Sequence, residues 1–225
     1  HEDDDTAGMS HFLEHMSFKG TARRSSRQIS QAIEGVGGTI NGFTSEEDTC
    51  YYAKVRYTKF ASALDVLLDI YTDPLLSPDE IARERNVIKE EISMYNDMPH
   101  QLIFDDVTAA MWRNHPLARS VLGTPASVDG ISRESMQAFR AHHYTAGNTV
   151  ISVAGRIPHE RIVQEVTRRT EGWRRTSPPR PSVPYRGRQR APRIVVRPRP
   201  VEQAHLVIGF KALNRTDPRR FALRI

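Results

Sequence analysis

The sequence is short of three things, and each shortage removes a class of protein. Cys50 is its one cysteine in 225 residues, so no internal disulfide staples the chain, and a lone thiol fits a reducing compartment. A cytoplasmic location is therefore expected. No apolar run approaches the roughly 20 residues that a helix needs to cross a bilayer, so no membrane span is expected. The stretch from Arg174 to Arg193 contains no acid but seven arginines. Those seven exceed the formal net charge of +5, which leaves the rest of the chain slightly acidic. The basic character is local, and it is the sole feature that favours a nucleic-acid partner. We expect none.

What is present is a chain with 38% hydrophobic residues, enough for one sizeable core and part of another. Helices are expected from about Met9 to Phe18, bracketed by Gly8 and Gly20, and from Ser26 to about Val36, closed by Gly37-Gly38. The β-rich runs "TINGFTS" and "TCYYAKV" flank the acidic turn Glu46-Glu47-Asp48 and predict an antiparallel hairpin. Helix returns in "KFASALDVLLDIY". Ser77-Pro78-Asp79-Glu80 forms a capping-box sequence with proline at the first helical position, predicting a long helix to about Tyr95. Further helices are expected from His100 to Trp112, Arg133 to His143 and Pro158 to Glu171, with "NTVISVAG" a buried strand. "RRTSPPRPSVPYRGRQRAPR" has the composition of an extended linker. Beyond it, "RIVV" and "AHLVIGF" look like strands opening a second domain. The expected class is α+β: a domain over residues 1–173, a linker over 174–193 and the beginning of a second, truncated domain over 194–225.

The stretch "GMSHFLEHMSFKGT" carries the chemistry. At roughly 100° per residue, His15 lies about 40° around the helix from His11, and Glu14 about 60° to the other side, so all three share a face. Zinc hydrolases need that set: two neutral imidazoles to fix the ion and a non-ligating carboxylate beside the water to be activated. The order H-x-x-E-H is the inverzincin signature. A further ligand is required. The long capped helix is the best supplier, because Glu84 and Glu91 are seven residues apart and fall within about 20° of each other around its axis. Glu90 adjoins them. His142-His143 is a poor rival, since adjacent helical positions diverge by roughly 100°. Cys50 reads as packing rather than a nucleophile.

Taken in series, "GMSHFLEHMSFKGT", "GGTINGFTSEEDTCYYAKV", "ERNVIKEEISMYNDMP", "LGTPASVDGIS" and "HHYTAGNTVISVAG" resemble the pitrilysin, insulin-degrading enzyme and mitochondrial processing peptidase family. The likeness resumes in "EQAHLVIGF". It implies a helix-covered, mostly antiparallel sheet and a zinc endopeptidase acting on extended peptides. It also implies that His11, His15 and Glu91 hold Zn2+, that Glu14 activates water, and that Glu84 supports the site without binding the ion. In that family an edge strand with the pattern N-A-x-T receives the peptide substrate as an added strand. Here it reads Asn41-Gly42-Phe43-Thr44, with Gly42 in place of the usual alanine, a change expected to loosen the strand. Phe43 and Phe18 would flank the substrate. The family closes two similar halves around the peptide, so a C-terminal half-domain, on the same chain or as a homologous partner subunit, is the implied partner. The early strands and the second half are expected outside these residues, leaving the chain by itself a weak peptidase. The alternative is a non-catalytic subunit of the same fold, and retention of all four site positions argues against it.

Overall fold

The structure is a computed structural model that describes residues 2–173, 185, 187, 189–214 and 216–224. The expected linker lies largely outside the described residues. Helix α1 spans Met9–Ser17, α2 Ser26–Glu34, α3 Phe60–Thr72, α4 Pro78–Asn96, α5 Pro99–Met111, α6 Pro125–Gly130, α7 Arg133–His143 and α8 His159–Thr170. Strands β1 (Thr39–Thr44) and β2 (Thr49–Lys54) pair antiparallel, with Thr39 opposite Lys54 and Thr44 opposite Thr49. Ser45 turns the hairpin by donating its N–H to the Asp48 carbonyl at 2.8 Å.

Two apolar clusters hold these elements. Met9, Phe12, Leu13 and Met16 of α1 pack on Ile81, Ile88 and Ile92 of α4 and on Val128, Ile131 and Met136. Ile29 and Ile33 of α2 meet Ala63, Val66 and Ile70 of α3, under the inner face of the hairpin. Helix α1 belongs to the first cluster and also touches both strands, so one face of it is fixed between α4 and β1. Arg85 of α4 binds α6 into the same core, donating to the carbonyls of Val128 and Ile131 with its guanidinium 5.5 Å from the Phe12 ring centre.

The α+β class stands, with adjustments. The described sheet has two strands, and helices dominate around it. "NTVISVAG" is not a buried strand: Val150 is 92% exposed and carries no strand pairing. "RIVV" and "AHLVIGF" likewise form no strand, and Ile194 and Leu206 are 84% and 83% exposed. A β-rich run becomes a strand only when a neighbouring edge takes its backbone hydrogen bonds, and the described residues offer these runs none. The cap of α4 is half of the expected box: Ser77 accepts from the Glu80 N–H, while the Glu80 carboxylate turns to Arg83. Helix α6 was not anticipated, although Thr124-Pro125 with Ser127 is a capping-box start.

Candidate metal centre

The N-terminus of α1 is set by residues that a local pattern does not reveal. Gly8 has φ 90°, and a Cβ there would lie 2.7 Å from the Leu122 carbonyl oxygen, so glycine is required by both conformation and space. The Glu2 carboxylate caps the helix from outside, accepting from the N–H groups of Gly8 at 2.8 Å and Ser10 at 2.7 Å. With its start pinned and its apolar face buried, α1 directs His11, Glu14 and His15 toward β1 and α4.

There the side chains converge. His15 Nε2 stands 3.2 Å from His11 Nε2, and Glu91 Oε2 is 3.7 Å from each of the two nitrogens. These three form the one cluster of metal-ligating groups among the described residues. Their spacing suits a small cation, since a point about 2.1 Å from all three atoms exists between them, the bond length of zinc to imidazole nitrogen or carboxylate oxygen. The donor set also fits electrostatically. Burial, with the nearby His15 adding to it, pushes His11 down to about 4, so its imidazole is neutral at pH 7. The chemistry of two imidazoles and one carboxylate suits zinc rather than calcium or magnesium, which prefer all-oxygen sites.

Glu84 occupies the other side of His15. It is 5% exposed, and its Oε1 lies 2.9 Å from His15 Nδ1. That contact makes Nδ1 the protonated nitrogen and leaves Nε2 free to face the cluster. Burial alone would raise the Glu84 carboxyl, but hydrogen bonds from His15 and Lys19 outweigh it and hold it low. For His15 burial opposes charge, and the Glu84 hydrogen bond with the neighbouring carboxylates overcomes it, raising the imidazole above its ordinary value.

Glu14 points to β1. Thr44 Oγ1 donates to its Oε2 at 2.9 Å, and a Cβ on Gly42 would stand 2.8 Å from its Oε1. The missing methyl of Gly42 therefore gives the carboxylate room, a consequence beyond the expected loosening of the strand. Burial raises the Glu14 carboxyl despite the Thr44 hydrogen bond. A cavity of about 480 Å³ is lined by His11, Glu14, His15, Gly42, Phe43 and Glu91, and Tyr95 and Asp105 of α4 and α5 also border it.

Of the predicted residues, the structure brings His11, Glu14, His15, Glu91, Gly42 and Phe43 to one cavity. Glu84 sits behind it. Asn41 is exposed on β1, its Oδ1 accepting from the Gly42 N–H at 2.9 Å. Phe18 is not placed at this cavity: its ring packs against the second core cluster, 6.0 Å from the Tyr51 ring. Glu90, the neighbour of Glu91, stays out of the cluster. Thr44 and Lys19 escaped the sequence reading as site residues, although both lie within the quoted motifs. Cys50 is half-buried with its thiol pushed up by burial, which is poor preparation for a nucleophile.

A family model described as insulinase (peptidase family M16) matches residues 1–125, more than half of the chain. The chain belongs to the insulinase family of peptidases. The insulinase match continues with a second model, the peptidase M16 inactive domain, over residues 130–225. An uncharacterized zinc protease of Streptomyces coelicolor is 37% identical, covering 97% of this chain and 49% of that protein. Another from Mycobacterium leprae is 36% identical, covering 97% and 50%. The chain thus spans about half the length of the curated relatives it matches. A crystal structure of a protease from Helicobacter pylori shares the insulinase fold with a TM-score of 0.75 at 20% identity, over 80% of this chain and 45% of that one. Among the described residues no helix is long and apolar enough to cross a membrane.

Proposed function

We propose that this chain is the metal-holding half of a zinc-dependent endopeptidase that hydrolyses extended peptides or small unfolded polypeptides. The observation that carries the reading is the convergence of His11 Nε2, His15 Nε2 and Glu91 Oε2. These three residues would hold the ion, and zinc bound there would polarise the scissile carbonyl and acidify water at the site. Glu14 does the proton work: its carboxylate takes a proton from the attacking water as the new C–O bond forms, and delivers it to the amide nitrogen as the C–N bond breaks. A carboxyl raised by burial suits both halves of that task. Glu84 fixes the tautomer and direction of His15. The outer edge of β1 has no strand partner among the described residues, so a peptide can add there through backbone hydrogen bonds, beside Phe43 and within reach of Glu14. A second half-domain, on the same chain or as a homologous subunit, supplies the opposite wall that orients the peptide and excludes water.

Two substitutions test the roles apart. In the protein with its second half present, Glu14→Gln is expected to keep near-stoichiometric zinc, measured by atomic emission, while abolishing peptide hydrolysis, because an amide accepts no proton. Glu91→Gln is expected to weaken zinc retention itself. Zinc loss in the first variant, or wild-type zinc affinity in the second, overturns the assignment.

A further inference from the structure

Lys19 lies just past the end of α1, in the turn where its N–H donates to the Met16 carbonyl at 3.1 Å. Its ammonium reaches across to α4 and stands 2.5 Å from Glu84 Oε2, while the other oxygen of the same carboxylate faces His15 Nδ1 at 2.9 Å. Glu84 is nearly closed from water, and Lys19 is only one-third exposed along its side chain. We propose that Lys19 is a positioning residue for the metal centre, acting through Glu84 to hold His15 with its Nε2 toward the ion. This rests on the zinc reading above and deepens it.

The geometry leaves Glu84 little alternative support. With Lys19 in place, each carboxylate oxygen has its own donor, and the plane of the carboxylate is fixed from both ends. Without the ammonium, Oε2 would be a buried charged oxygen with no partner. The carboxylate could then recover hydration only by turning or withdrawing, and either movement takes Oε1 off His15 Nδ1. Among the described residues no other group meets His15 Nδ1, so its ring would lose its fixed direction. Outer partners of metal-ligating histidines typically contribute about 10–100-fold to metal affinity. Lys19 acts one step further out, so an effect near the lower end, about 10-fold, is expected.

The test is zinc affinity, measured by competition with a chromophoric chelator at fixed pH, with the folded fraction followed in parallel by circular dichroism. Lys19→Met is expected to weaken zinc about 10-fold and Lys19→Arg, which keeps a donor for Oε2, to restore most of the loss. The same Lys19→Met change made in a Glu84→Gln background should cost no further affinity, since the carboxylate through which Lys19 acts is gone. Wild-type affinity in Lys19→Met, or an equal loss with and without the Glu84 carboxylate, overturns the proposal. If the unsubstituted protein binds no zinc, it is the zinc reading that fails. If the unsubstituted protein binds zinc and Glu91→Gln does not, while Lys19→Met matches wild type, the inference about Lys19 fails alone.

Discussion

Replacing Thr44 with valine removes one hydroxyl and keeps the shape, and the structure allows its effect to be worked out. The Thr44 hydroxyl donates to Glu14 Oε2 at 2.9 Å in a half-buried setting. A hydrogen bond to a charged group contributes about 1.5–3 kcal/mol, and about 1.4 kcal/mol corresponds to a tenfold change in rate. The bond is made chiefly to the ionised carboxylate of the resting state, so its loss slows the reaction mainly by letting Glu14 turn away from the attacking water. A kcat reduced about 10-fold is therefore expected, below the ceiling of about 100-fold set by losing the whole bond in the transition state. The valine leaves the β1 backbone intact, so KM should stay within about twofold if peptides bind through the strand edge. Zinc content should be unchanged, since no ligand atom is touched. Burial already raises the Glu14 carboxyl, and Thr44 is the largest influence opposing it. Losing that hydroxyl should move the acidic limb of the kcat/KM profile to higher pH. Thr44→Ser, which keeps the donor, should restore both rate and profile. The assay is a quenched-fluorescence peptide cleaved by the active protein over a range of pH. Unchanged kcat in Thr44→Val, or an acidic limb that moves downward, would refute the reasoning.

Other consequences are open to measurement. Between about pH 5 and 6.5, below the ordinary histidine value, zinc must displace a proton from His15, whose basicity is raised, but not from His11, which stays neutral down to about 4. Kd should therefore fall about tenfold per pH unit in that window, a slope of log Kd against pH near minus one, and a slope of minus two would show that both imidazoles are protonated in the free protein. Ile88 is fully buried between α1 and α4, so Ile88→Ala should lower unfolding free energy by about 2–5 kcal/mol in urea titrations. A loss under about 1 kcal/mol would mean that this contact collapses to fill the cavity or is not central to the core.

Some of this protein is determined by neighbours in sequence and some only by neighbours in space. Helical periodicity alone puts His11, Glu14 and His15 on one face of α1, because side-chain direction along a helix depends on spacing and nothing else. The long α4 is legible for the same local reason, its cap residue Ser77 and Pro78 marking the start. The hairpin too is announced by its two β-rich runs and acidic turn. Spacing could not decide between the carboxylates of α4. Glu84 and Glu91 share a face, and what separates them is depth: Glu84 follows the buried stripe of Ile81, Ile88 and Ile92 and meets His15 from behind, while Glu91 reaches the open side of both imidazoles. Thr44 and Lys19 were invisible for a related reason, since a hydroxyl on β1 and an ammonium after α1 acquire partners only when the hairpin and α4 close around α1. The failed strand at "NTVISVAG" marks the same boundary. β-propensity is a local property, but a strand is a relation between two segments, and only tertiary structure supplies the second.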